Sequence, residues 1–218
     1  MQNSENIQKW LPVIVSGLSL IISFITLYLT RLRNQKLKVF AGPQIIAGYD
    51  PKELYFVVPT SVVNASPKVG VILKSSLTIA RKDTPQQNFY MAWSAFYEIG
   101  KEGTTWIHKE SAHAIPVLGY ATATRAIKYP WADDASPNLL LRDGVYTFRF
   151  DYWSDMKKPF ATLQYELLVK KAEADQLSNI RSERGEGKSI NKIVYFVLAE
   201  DIERNRLLTE HEVKRLLD

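Results

Sequence analysis

A run of 21 residues without a charge, Trp10 to Thr30 (WLPVIVSGLSLIISFITLYLT), constrains this chain more than any other feature. As a helix it rises about 30 Å, one hydrocarbon thickness. The sequence therefore predicts a transmembrane helix over 10–30. Pro12 is expected in its first turn, where the missing N–H is not needed. Trp10 and Tyr28 fall near the two ends, where amphipathic rings favour the interface. A cleaved signal peptide is the competing reading. Against it, the apolar stretch exceeds the usual signal core and the preceding MQNSENIQK is nearly neutral. Four cations also intervene before Val39-Phe40-Ala41, the sequence that could pass as a cleavage site.

Those cations, Arg31, Arg33, Lys36 and Lys38, form a basic collar over 31–38. The positive-inside rule then puts residues 1–9 outside as an extracytoplasmic tail and the C-terminal part in the cytoplasm of a single-pass inner-membrane protein. The collar also suits anionic lipid headgroups, at about 1 kcal/mol per cation. Residues 1–38 hold five Lys/Arg against one acid, which leaves 23 against 22 for everything after. A nearly neutral folded part argues against nucleic-acid binding, which needs a basic stripe to displace counterions. The absence of cysteine removes disulfides, thiolate nucleophiles, iron-sulfur clusters and Cys-type zinc sites.

Within the span every hydroxyl falls on one seam. Ser16, Ser19, Ser23, Thr26 and Thr30 are spaced 3, 4, 3, 4, the rhythm of a left-handed helix pair, with Gly17 beside them. The seam is expected to be a helix–helix contact, with a second copy or with another membrane protein. The alternative is that each hydroxyl bonds back to its own i−4 carbonyl.

From Leu37 the pattern changes to short runs rich in β-branched and aromatic residues, bounded by Pro, Gly, Asn and Asp. Strands are predicted over 37–48, 54–64, 69–80, 88–97, 112–128 with breaks at Pro116 and Gly119, 144–153 and 160–170. In the last, Ala161, Leu163, Tyr165, Leu167 and Val169 alternate with polar residues, as in a strand with one buried face. The expected fold class is mainly β, an antiparallel β-sandwich over 39–170 behind an N-terminal transmembrane helix.

The stretch Leu141-Arg142-Asp143-Gly144-Val145-Tyr146-Thr147-Phe148 resembles the entry to strand F of immunoglobulin-like and fibronectin-type sandwiches. The resemblance implies that Tyr146 is a structural corner, its hydroxyl bonded to upstream backbone. It departs from antibody domains in having Phe148 where a cysteine would stand and no Trp in 69–80. The whole layout, one apolar helix, a basic collar and a sandwich beginning near residue 38, looks like a loose class of uncharacterised bacterial single-pass membrane proteins. That likeness is one of architecture and carries no catalytic residue.

The remainder, 171–218, reads as a C-terminal extension. It comprises a short helix near 172–180, a loop centred on Gly185 and Gly187, a strand over 190–198 and a terminal helix over 210–218. Thr209-Glu210-His211-Glu212 has the spacing of a capping box for that helix. Its apolar positions Val213, Leu216 and Leu217 would pack on the sandwich or dock a partner.

Catalytic signatures are sparse. His108 and His113 would point to opposite faces of a strand, so surface or packing roles are expected rather than metal ligation. Gly185-Glu186-Gly187-Lys188-Ser189 has Ser182 where a P-loop would place its first glycine. Asp133 with Asp134, or Asp151 with Asp155, could serve as an acid–base or ion-holding pair, but solvated loop ends are the commoner case. Trp131 and Trp153 would be partner anchors if their rings stand exposed at loop ends. The sequence thus predicts no cofactor and no metal site. Its leading reading is a non-enzymatic, membrane-anchored interaction or scaffold module at the cytoplasmic face. An exported binding protein of reversed topology, or an enzyme whose site is not visible in linear motifs, are the alternatives.

Overall fold

The computed structural model describes residues 2–28, 35–50, 52–100, 106–187, 192–198 and 214–215, with side chains from Trp10 onward. Its first element, α1 (Gln2–Leu27), holds the apolar run. It begins upstream of Trp10 because Glu5, Gln8 and Lys9 are good helix formers, so Pro12 lies inside the helix rather than in its first turn. The window Trp10–Leu27 is long and apolar enough to cross a membrane, and none of it is buried against the other described residues.

Most of the other described residues form antiparallel sheets, one of seven strands, one of four and a two-stranded ribbon. β1 (Leu37–Ala41) and β2 (Gln44–Asp50) share one edge of β3 (Glu53–Asn64). Leu37 stands opposite Asn64, and Ile46 opposite Val57. The single strand expected over 37–48 is broken at Gly42-Pro43. Pro43 has no N–H to offer a ladder, and Gly42 donates to the Pro59 carbonyl at 2.6 Å. A Cβ on Gly42 would lie 3.1 Å from that of Pro59, so any larger residue at the break would crowd Pro59.

Of the elements that follow, β4 (Gly70–Ile72) pairs with β9 (Ile115–Val117) in a small ribbon, while β5 (Lys74–Arg81) and β6 (Thr84–Ala92) pair in a four-stranded sheet with β11 (Gly144–Trp153) and β12 (Ala161–Val169). β7 (Ala95–Ile99), β8 (Trp106–Ser111), β10 (Thr122–Ala132) and β13 (Val194–Val197) complete the larger sheet, in the order β13-β2-β3-β10-β7-β8 with β1 beside β3. The runs 69–80 and 88–97, each expected to be one strand, are each shared between sheets. The switch at Trp93-Ser94 is explicit, since Trp93 N–H donates to Ser75 of one sheet and Ser94 N–H to Lys128 of the other.

The inward faces carry the core. On β3 these are Leu54, Phe56, Val58 and Val62. On β11 they are Tyr146, Phe148, Phe150 and Tyr152, all buried. Phe56 meets Phe148 edge-on at 5.6 Å between centroids. The hydroxyls of Thr60 and Tyr152 lie 3.5 Å apart, so β3 and β11 run the same way in the two sheets. One end, here the proximal end because the chain enters it at Leu37, therefore gathers the loops around 65–69, 118–121 and 154–160.

α2 (Lys171–Gly185) follows β12 directly and is longer than the expected 172–180. Glu173 starts it by accepting the Lys170 N–H at 2.8 Å, and Leu177 and Ile180 bury into the core. The chain leaves it through Gly187, whose φ of 77° suits glycine. Of the expected terminal helix only Lys214 and Arg215 are described, and they are helical. Val213, Leu216, Leu217 and the Thr209–Glu212 box lie outside the described residues.

Candidate functional site

The most heavily built polar site is one that the sequence did not single out. Along β10, Ile127 and Tyr129 enter the core, so Lys128 points to the other face of the larger sheet. Its ammonium lies 2.6 Å from Asp50 Oδ2 on β2 and 2.6 Å from Glu53 Oε1 on β3, and it donates to the Tyr97 hydroxyl on β7 at 3.2 Å. It also stands over the Tyr55 and Tyr97 rings, 4.7 and 5.4 Å from their centroids. Gly48 makes room for this cage, because a Cβ there would meet the Tyr55 hydroxyl at 2.5 Å.

The Lys128 side chain is only 8% exposed. Burial by itself would lower its pKa, but the hydrogen bonds to Asp50 and Glu53 outweigh it and hold the ammonium well above the usual lysine range. Such a lysine is a permanent cation, not an amine nucleophile or a general base. Burial, with the Asp50 charge beside it, pushes Tyr55 up to about 12.

A second polar chain crosses the core between the sheets. The Tyr129 hydroxyl lies 2.7 Å from Ser75 Oγ, which donates to the Asp151 carbonyl at 3.1 Å, while Thr60 Oγ1 donates to the Val58 carbonyl at 3.2 Å. Burial raises Tyr129 well above the ordinary tyrosine value and Tyr152 to about 12. Both phenols stay neutral at physiological pH and act as hydrogen-bonded core residues.

The candidates read from sequence are scattered. Trp131, at the far end of β10, is half-buried and meets Phe89 edge-on at 5.2 Å, with its indole N–H buried and unpartnered. Trp153 lies at the proximal end, also half-buried, under the Lys74 ammonium at 4.4 Å. The two rings are thus at opposite ends of the domain and share no surface, and neither stands free at a loop tip. Tyr146 accepts the Arg142 N–H at 2.9 Å, a bond back to the residue four before it.

Asp133 is ion-paired with Arg181 of α2 at 3.2 Å. Asp151 is held by Arg149 at 2.9 Å and by the Thr162 hydroxyl. Asp155 caps the turn through the Lys157 N–H, which lowers its pKa. His108 and His113 pack edge-on against Tyr97 and Phe96. Among the described residues no group of three or more His, Cys, Asp or Glu could hold a metal.

In α1, Ser16, Ser19, Ser23 and Thr26 are exposed, and Ser23 Oγ donates to the Ser19 carbonyl at 2.8 Å. Of the collar, Lys36 and Lys38 are exposed; Thr30, Arg31 and Arg33 lie outside the described residues. Two shallow cavities of about 270 and 260 Å³ flank the segment before β11. In the first, Arg81 is already engaged by Asp83 at 3.1 Å and by the Asp143 carbonyl at 3.0 Å, and neither cavity pairs a nucleophile with a base.

No protein-family model matches the chain, and no curated protein does. Several solved structures are distantly similar, three of them as follows. A late embryogenesis abundant protein is 12% identical, with 77% of this chain and 89% of that one covered at a TM-score of 0.33. A FixG-related protein from Vibrio parahaemolyticus is 12% identical, covering 64% and 98%, with a TM-score of 0.31. A GH3 β-glucosidase from Bifidobacterium adolescentis is 10% identical, covering 64% and 20%, with a TM-score of 0.28. Likenesses this slight carry no argument about function.

Proposed function

We propose that the chain is a membrane-anchored, non-enzymatic interaction or scaffold module that holds its β domain at the cytoplasmic face. The observation that carries this reading is the apolar helix, which packs against none of the described residues and leads through a cationic segment into a β domain. An apolar surface of that length finds its partner in a bilayer. The immunoglobulin-like affiliation rests on the Tyr146 corner.

The test is a pair of C-terminal fusions after Asp218. Fluorescent-protein signal without alkaline phosphatase activity, in membranes that keep the chain through alkaline carbonate, is the expected result. Phosphatase activity would instead favour the exported binding protein, and release by carbonate would remove the anchor altogether.

The hydroxyl seam is the proposed contact within the membrane. Ser23 is satisfied by its own helix, so the contact rests on close approach of small side chains more than on hydrogen bonds between helices. Ser19→Ile with Ser23→Ile should abolish crosslinking between helices in native membranes; unchanged crosslinking would leave the seam without a role.

A further inference from the structure

The loops of the proximal end differ in kind from those of the far end. Segments 35–38, 64–74, 117–122 and 153–160 hold Lys36, Lys38, Lys68, Lys74, Lys157 and Lys158 against the single acid Asp155, a net charge of +5. That equals the net charge of the entire chain, so everything else sums to zero. At the far end, segments 49–54, 81–84 and 132–144 hold six acids and four bases.

The same proximal loops expose large apolar side chains. Leu118 is 65%, Tyr120 73% and Met156 74% exposed, and Val69 and Leu73 are also open to solvent. Tyr120 has a φ of 55°, a left-handed conformation that costs a tyrosine on the order of 1 kcal/mol and that glycine or asparagine would adopt more easily. Folding therefore does not account for an exposed tyrosine at that tip.

Apolar tips ringed by lysines match the chemistry of one surface, the boundary between headgroups and acyl chains of an anionic bilayer. Chain length brings that surface within reach. Only residues 29–36 separate Tyr28 from β1, and fully extended they span about 30 Å at most.

We infer that the proximal end of the β domain is a lipid-docking face, with Leu118, Tyr120 and Met156 dipping into the interface and Lys68, Lys157 and Lys158 on anionic headgroups. This rests on the anchor reading above. It adds that the domain stands end-on against the membrane and presents its far end to the cell interior.

Because the chain has no cysteine, Leu118→Cys, Met156→Cys and, at the far end, Thr84→Cys each give a unique site for an environment-sensitive dye on the full-length protein. Reconstituted into phosphatidylserine-rich vesicles containing a lipid-borne quencher, the dyes at 118 and 156 should be quenched several-fold more than the dye at 84. The difference should collapse in purely neutral vesicles, and also in the Lys68→Glu/Lys157→Glu/Lys158→Glu variant. The neutral-lipid arm needs no loop charge reversal, so misfolding of that variant cannot mask the result. Equal quenching at 118, 156 and 84 in vesicles that retain the protein through carbonate would overturn the docking face and leave the anchor standing. Loss of the protein from the vesicles would instead sink the anchor, and this inference with it. Quenching in native membranes but not in purified lipid would assign the face to a protein and overturn the inference as well.

Discussion

Replacing both carboxylates around Lys128, as Asp50→Asn with Glu53→Gln, should cost about 3–5 kcal/mol at neutral pH, the range seen when a buried ion pair loses one side. The substitutions keep the size of the side chains and their oxygen acceptors, so what is removed is charge. With the carboxylates present, their hydrogen bonds outweigh burial and the Lys128 pKa is raised. With them gone, burial, the largest single influence, is opposed only by the weaker Tyr97 hydrogen bond, and it lowers the value.

The sign of the pH dependence follows. In the native protein the folded pKa lies above the unfolded one, so the stabilisation is complete at neutral pH and fades only as pH rises through the folded value. In the variant the folded pKa lies below the unfolded value of about 10.4, so the unfolded state binds the extra proton between the two and stability increases with pH in that window. Denaturant midpoints of the full chain in detergent, taken from pH 7 to 10, should therefore climb for the variant and not for the parent. Adding Lys128→Met should restore much of the loss by removing the uncompensated charge. A variant as stable as the parent at pH 7 would mean that the cage is surface decoration.

This cage also shows why sequence reading stopped where it did. Asp50, Glu53, Tyr97 and Lys128 are spread over 79 positions and belong to four strands. Only the register that sets Lys128 opposite Val57 on one side and Ala95 on the other brings them together. Nothing local distinguishes that lysine from a solvated one. The bond from the Arg142 N–H to the Tyr146 hydroxyl, by contrast, closes over four residues, and chemistry that local lies within reach of sequence reading.

The same division holds for the fold. β11 spans the expected 144–153, and β12, whose alternation was visible, falls one residue inside the expected 160–170 at each end. The breaks at Gly42-Pro43 and Trp93-Ser94 were hidden, since apolar periodicity runs through both and only hydrogen-bond partners on different strands reveal the change. β8 escaped notice because Ile107, Lys109 and Glu110 lie on an edge and show no buried-face alternation. Trp131 and Trp153 illustrate the converse. Aromatic density is visible in sequence, but whether a ring is exposed and which end it occupies are tertiary facts.

The other large effect is expected at Gly119, and it bears on the docking face. The proximal loops are assembled around Asn64, whose side chain donates to the carbonyls of Lys68 at 2.7 Å and Val117 at 3.1 Å and accepts from Ser66 N–H at 3.0 Å. The Tyr120 N–H then bonds the Ser66 carbonyl at 3.0 Å, which draws Gly119 against Pro67. A Cβ on Gly119 would fall 2.6 Å from the Pro67 carbonyl carbon and nearer still to its oxygen. Both are backbone atoms and cannot swing aside, so Gly119→Ala must part the two loops. Overpacking, with the buried Asn64 amide left short of partners, should together cost about 2–4 kcal/mol. Gly185→Ala has nothing within 4 Å of the added carbon and serves as the control, expected neutral or slightly stabilising. The denaturant midpoint should fall for the first and hold for the second. A Gly119→Ala protein that unfolds like the parent would show that the contact yields cheaply. A destabilised one that also loses lipid quenching at Leu118 would tie the loop packing to the orientation of the domain on the bilayer.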